Sequence, residues 1–275
     1  MRLSKLSNVH KSPKGKENMK KSLIFASLLF ASVAIASDVP SETKTGLTVD
    51  GQVNYVNEYV FRGYTVRDDA FNIQPEVTVG KSFDVGNYAY TPYVNLWANV
   101  TDEDYSRVNY FDELDVTAGF EIARGDFKLA FEYIYYTSPG DNFDDVHEVG
   151  AVLGYSHFLN PHVSVYQELK NGGDKDEGTY LEVGIAPEYA INDKFGLTFP
   201  VTFGSSLNDY YFDNDGSSTF LGYGAAGVVA KYTLDENWSV SVGGEYQHAF
   251  ADSVEASNDG DENNLVFSVG VGFSY

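Results

Sequence analysis

Four histidines follow residue 36: His147, His157, His162 and His248. Each has a serine or aspartate close in sequence, the raw material for an acid–base or nucleophilic site acting on lipid. No two of them stand at a recognisable spacing, and such a site is defined by geometry rather than chain order. No compact His/Asp/Glu cluster has metal-ligand spacing either. The loops Asp213-Asn214-Asp215-Gly216 and Asp259-Gly260-Asp261-Glu262 resemble fragments of a calcium loop. They lack the further acids at fixed offsets and the closing Glu of the full pattern. They read as solvated turns, with weak divalent bridging to lipopolysaccharide phosphates as the sharper alternative. The chain has no cysteine, so disulfides and thiolate chemistry are excluded. No metal and no cofactor is expected.

A different chemistry is written in alternation. Glu113, Asp115, Thr117, Gly119 and Glu121 interleave with Leu114, Val116, Ala118, Phe120 and Ile122. Tyr180, Glu182, Gly184, Ala186 and Glu188 do the same against Leu181, Val183, Ile185, Pro187 and Tyr189. Ser239, Ser241, Gly243, Glu245 and Gln247 oppose Trp238, Val240, Val242 and Tyr246. A period of two puts each set on one face of a strand. Extended along the chain, the polar face collects Asp50, Glu58, Glu76, Glu113, Asp115, Glu121, Glu132, Glu148, Glu168, Glu182, Glu188 and Glu245. Against these acids stand only Arg62, Lys128 and Lys170. Rings of carboxylates facing water raise the local cation concentration. The same acids could instead pair with Arg and Tyr in a filled interior, where Tyr93, Trp97, Tyr136, Tyr166 and Tyr180 would be packing. Arg62, the lone base of its segment, would pair with carboxylates and hold register, or form a constriction.

Twelve alternating segments position these side chains: Leu47–Arg62, Asn72–Phe83, Tyr88–Val100, Asp112–Ala123, Phe127–Thr137, Val146–Phe158, His162–Lys170, Thr179–Ala190, Phe195–Gly204, Thr219–Tyr232, Trp238–Phe250 and Asn264–Tyr275. Most reach the nine to eleven residues that a tilted strand needs to cross a bilayer. The register of the tenth is ambiguous, and no helical periodicity competes. Short Gly/Asn/Asp/Pro connections after the even segments alternate with longer acidic ones after the odd segments. This alternation predicts an all-β, antiparallel up-and-down transmembrane barrel of about 12 strands, with both termini periplasmic. Counts of 10 and 14 stay open. Tyr59, Tyr88, Tyr90, Tyr133, Tyr135, Tyr155, Tyr189, Tyr232 and Trp238 fall near strand ends, where an aromatic girdle belongs. Lys81 and Gln167 fall on the lipid side and read as interfacial. In the final segment Phe273 and Tyr275 continue the apolar face, and they read as the signal for the barrel-assembly machinery.

Lys20 and Lys21 precede an apolar run, Leu23 to Ile35, and Ala34-Ile35-Ala36 offers a small-x-small cleavage site before Ser37. Residues 1–36 therefore read as an N-terminal extension and cleaved signal peptide, with Met19 an alternative start. Residues 37–275 read as the barrel domain. The formal charge of −22 argues against nucleic acid as a partner. Losing residues 1–36 removes seven of the 18 basic residues and one of the 40 acidic ones, so the remainder is more acidic still.

Glu58-Tyr59-Val60-Phe61-Arg62-Gly63, the acidic turn at Asp68-Asp69, Asn72-Ile73-Gln74-Pro75 and Thr91-Pro92-Tyr93-Val94-Asn95-Leu96-Trp97 carry a resemblance. Over these first three strands the chain resembles the TorF-type porins of bacterial outer membranes. The resemblance implies an outer-membrane barrel with a porin role and brings no catalytic residues. The expected function is a passive channel for small solutes or cations with an acidic lumen, in contact with outer-membrane lipid and lipopolysaccharide. Its pore-lining candidates are Asp50, Glu58, Arg62, Glu76, Tyr93, Trp97, Glu113, Asp115, Glu132, Glu182 and Glu245. A barrel enzyme acting on lipid, or a structural or adhesive barrel, are the alternatives.

Overall fold

The computed structural model describes residues 46–68, 71–101, 111–139, 143–170, 177–208, 211–214 and 217–275. The expected leader, residues 1–36, lies outside them, as do Asp215 and Gly216 of the first calcium-like loop. Twelve antiparallel strands form the wall. They are β1 (Gly46–Val56), β2 (Asn72–Val85), β3 (Tyr88–Thr101), β4 (Phe111–Arg124), β5 (Phe127–Thr137), β6 (Val146–Tyr155) and β7 (His162–Lys170). Then follow β8 (Thr179–Ile185 with Glu188–Ala190), β9 (Phe195–Thr198 with Val201–Ser206), β10 (Leu221–Thr233), β11 (Trp238–Ala249) and β12 (Asn263–Ser274). Each strand pairs with its neighbour in sequence, and β12 pairs with β1 from Asp50↔Ser274 to Val56↔Ser268, which closes the ring. At the seam Val49 and Tyr275 exchange backbone bonds of 3.0 and 2.9 Å.

β8 and β9 are interrupted where continuous strands were expected. The breaks hold Ala186-Pro187 and Phe199-Pro200, and proline has no N–H to donate to a ladder. The carbonyls still serve the wall: Phe199 N donates to Pro187 O at 3.0 Å and Gly227 N to Pro200 O at 2.9 Å. The short connections close tightly. Gly86 and Gly125 open two-residue turns at φ 64° and 57°, a conformation hairpin turns need and L-residues resist. In the turn before β11 the Asp235 carboxylate accepts from the backbone N–H of Asn237 and Trp238, both at 2.9 Å. Those two bonds hold its carboxyl below the usual range.

The side-chain distribution is inverted relative to a water-soluble protein. Val53, Phe131, Leu153, Val242, Phe267 and Val269 stand exposed on the outside, while Glu113, Glu132, Glu148, Glu182 and Glu245 are buried inside. Such an exterior is stable only against hydrocarbon, and a closed barrel is the one sheet that leaves no unpaired edge there. The chain is a membrane-spanning barrel of the outer-membrane type.

Two further expectations about the elements change, and one open register is settled. β1 ends at Val56, and the expected continuation to Arg62 leaves the wall. Tyr59–Phe61 pairs instead with Tyr64–Arg67 in a separate hairpin turning at Arg62 and Gly63, at φ 51° and 85°. Tyr59, expected in the girdle, is therefore buried inside. The connection before β12 contains a short helix, α1 (Asp252–Ser257), whose six residues are too few to show a period. Finally, the register of β10 is settled by its partners: Tyr223, Ala225 and Val229 are buried inward, and Tyr232 points out.

Candidate functional site in the barrel interior

The interior is organised by phenols. Tyr93 and Tyr166 both donate to Glu132, the latter at 2.9 Å. Tyr180 donates to Glu182 at 2.9 Å and pairs with Tyr223 at 2.8 Å. Tyr136 donates to Glu148 at 2.9 Å, and Tyr59 to Glu113 at 2.9 Å. Tyr211 lies 2.7 Å from Glu168 and 3.1 Å from Glu148. Burial, then the Glu113 carboxylate, push the Tyr59 phenol well above its ordinary value, so it stays a donor. Amides serve the remaining acids: Gln52 and Asn95 each donate to Glu76 at 2.7 Å, and Gln247 to Glu245 at 2.7 Å. A phenol or amide satisfies a carboxylate without cancelling its charge.

Several of these tyrosines can lie inward only because a glycine faces them. Tyr93 is registered opposite Gly119, Tyr166 opposite Gly150 and Tyr223 opposite Gly204. A Cβ on any of these glycines would overlap the facing ring.

Among the described residues the hairpin's two arginines and Lys128 are placed against acid. Arg62, at the tip of the inward hairpin, makes two bonds of 2.7 Å to Glu148, Nη1 to Oε1 and Nη2 to Oε2. Both side chains are 2% exposed. Its left-handed backbone costs roughly 1–2 kcal/mol in a residue with a Cβ. The bidentate buried pair offsets this, since breaking one of this kind costs about 3–5 kcal/mol. The guanidinium also lies over aromatic faces, 4.3 Å from the Tyr180 centroid and 5.2 and 5.3 Å from those of Tyr211 and Tyr166. Arg67, from the same hairpin, holds Asp112 at 2.7 Å. Lys128 sits diagonal to Glu121 across β4 and β5.

The density is uneven along the barrel axis. Near the long connections the hairpin, Tyr211-Phe212 and α1 with Ala251 and Val254 join Tyr136, Tyr166, Tyr180 and Tyr223 in one buried cluster. Near the short turns a cavity of about 60 Å³ lies beside Gln52, Lys231, Ser239, Ser241 and Ser274.

The pore-lining candidates fall in different places. Glu76, Tyr93, Trp97, Glu113, Asp115, Glu132, Glu182 and Glu245 all stand on the inner wall. Asp50 is inward at the short-turn end, close enough to Lys231 to feel its charge. Glu58 is half-buried in the link from β1 to the hairpin, beside Asn57. Arg62 is not a wall residue at all but the tip of the hairpin, so it does not set the register of β1. Glu188 is exposed at the short-turn end, 3.3 Å from Asn160. Sequence reading missed Asp112, Lys231 and Tyr211. A bulge pairs Asn99 with Glu113 and Val100 with Phe111, so Asp112 and Glu113 both turn inward. Lys231 was hidden by the ambiguous register of β10, and Tyr211 reaches in from a connection. The Gly63 that follows Arg62 was the available signal for the hairpin turn.

The histidines do not converge. His147 and His248 lie outward against Tyr133 at 2.6 Å and Asn263 at 3.1 Å, His157 is in a short turn, and His162 is inward, 3.6 Å from Glu182. Among the described residues no group of three His, Cys, Asp or Glu side chains is placed to hold a metal.

No family model and no curated protein matches the sequence. Solved structures do resemble the fold. An outer membrane channel from Pseudomonas putida F1 superposes with a TM-score of 0.51 at 11% identity, over 89% of this chain and 100% of that one. The translocator domain of the autotransporter NalP from Neisseria meningitidis gives 0.45 at 17% identity, over 85% and 90%. The NanC porin gives 0.45 at 15% identity, over 83% and 99%. At 11% identity the likeness to the Pseudomonas channel is one of fold alone. The chain has the fold of an outer-membrane β-barrel, and the TorF-type likeness remains a resemblance over its first strands.

Proposed function

We propose that this barrel is a porin-like channel for small solutes and that its interior favours cations. The observation that carries the reading is the way the interior acids are satisfied. Glu76, Glu132, Glu182 and Glu245 take their hydrogen bonds from tyrosine, glutamine and asparagine, which are neutral donors rather than bases. A wall of this kind attracts cations and repels anions. The hairpin fills the long-connection half, so the conducting state in this reading is one in which the hairpin yields. The TorF-type resemblance agrees with a porin role. The outward apolar band would contact outer-membrane lipid and lipopolysaccharide, and Phe273 and Tyr275 would be read by the barrel-assembly machinery.

The test is conductance of the purified barrel in planar bilayers, for the wild type and for a variant with residues 59–67 replaced by a short Gly/Ser link. Ion-conducting steps that grow larger in the variant are expected. Silence from both folded proteins removes the channel reading.

A further inference from the structure

We propose that the cage filled by the Arg62 side chain is a binding site for solutes carrying a guanidinium group, with Arg62 as its built-in occupant. Occupant and cage come from different parts of the chain. Arg62 belongs to the connection between β1 and β2, whereas Glu148, Tyr136, Tyr166 and Tyr180 are wall residues of β5 to β8. Tyr211 reaches in from the connection after β9. The hairpin adds the Phe61 ring, 4.8 Å from the guanidinium, and a Tyr64 bond to the Tyr211 carbonyl; the acid and the remaining rings belong to other parts of the chain and are complementary to what the hairpin inserts.

Its chemistry selects a planar cation. Glu148 presents both oxygens to two nitrogens at 2.7 Å, a fork that a guanidinium matches and an ammonium cannot. Tyr211 Oη accepts from Nη1 at 2.8 Å. The rings of Tyr180, Tyr211 and Tyr166 face the group at 4.3 to 5.3 Å, within the range of cation–π attraction. The fit is incomplete on the occupant's side, since Arg62 Nε is buried without a hydrogen-bond partner among the described residues. Arg62 stands with Gly63 in a two-residue turn that needs positive φ, and at 51° it takes a conformation that a residue with a Cβ resists. An occupant that fits imperfectly from a strained backbone leaves a cage that a free guanidinium can fill once Arg62 is withdrawn. The inference rests on the channel reading only for how a solute reaches the cage.

The test uses the full barrel, refolded in detergent, with methylguanidinium as probe at millimolar concentration, well below denaturing levels. In R62A the cage loses its occupant and the thermal midpoint falls. Methylguanidinium is expected to raise that midpoint by several degrees, because a ligand that binds only the folded state stabilises it. Methylammonium at the same concentration should not, and wild type, whose cage is full, should not respond. R62A/E148Q should lose the response. If R62A folds poorly, the readout is the yield of heat-shifted folded band on refolding with and without the probe. An R62A response no larger than that of wild type, or no gain in folded yield, overturns the site. Because this readout needs no conduction, a silent barrel can still show rescue, and a conducting barrel without rescue loses only the cage.

Discussion

The guanidinium of Arg62 and the carboxylate of Glu148 meet through two 2.7 Å bonds although 86 positions separate them in the chain. The contact crosses the barrel rather than running along its wall, because the hairpin after β1 folds inward to reach β6. One ion pair thereby ties a connection to the far side of the barrel. Around it, acids with tyrosine partners stand where an open lumen would expose them.

Removing one member of this pair should be costly. E148Q and R62A are each expected to lower unfolding free energy by about 3–5 kcal/mol, the range for a buried charge left without its partner. R62A/E148Q should cost less than the sum of the two single losses, because both charges leave together. Urea titration of the barrel refolded into vesicles measures all of these. Additive losses would show that the pair is not coupled.

The outward face should read hydrocarbon. Val269 lies mid-strand in β12 and is 54% exposed. Val269→Arg is expected to destabilise the barrel in bilayers by about 2–4 kcal/mol, as for a charge near the membrane midplane. Lys81, also outward but near the short turn after β2, should tolerate Leu within about 1 kcal/mol, as positions near an interface do. Equal tolerance at both positions would contradict the membrane belt.

The tyrosine–glycine pairs should be sterically strict. Gly150→Val places a branched side chain where the Tyr166 ring lies, and a loss of about 1–3 kcal/mol is expected from overpacking. Combining it with Tyr166→Ala should recover part of that loss, because the clash disappears. Denaturation midpoints of the two singles and the double decide this.

Selectivity should follow the acids. In a KCl gradient the reversal potential of the conducting barrel is expected to show cation preference. Replacing Glu113, Asp115 and Glu132 together by Gln or Asn should reduce it. The reduction should be larger at low salt, because screening acts over about 8 Å at physiological ionic strength and shortens as salt rises. Anion preference in the wild type would overturn the acidic-lumen reading.

The wall was legible in the sequence. Alternation in β4, β8, β11 and β12 fixed which side chains face in, because a strand's period is two and a bilayer outside admits only apolar residues at every second place. Gly86-Asn87 and Gly125-Asp126 marked tight turns, since positive φ is cheap for glycine. What alternation could not reveal was where a strand leaves the wall. Val56 and Tyr59 belong to one alternating run, yet the first is in the barrel and the second in a hairpin, because only the partner strand decides whether an extended segment has a ladder to join. Asp112 was hidden by a one-residue bulge that β3 imposes on β4. The Arg62 cage lay beyond local pattern altogether. Its acid, its tyrosines and its guanidinium come from separate connections and strands, and the closure of the ring brings them within hydrogen-bonding distance.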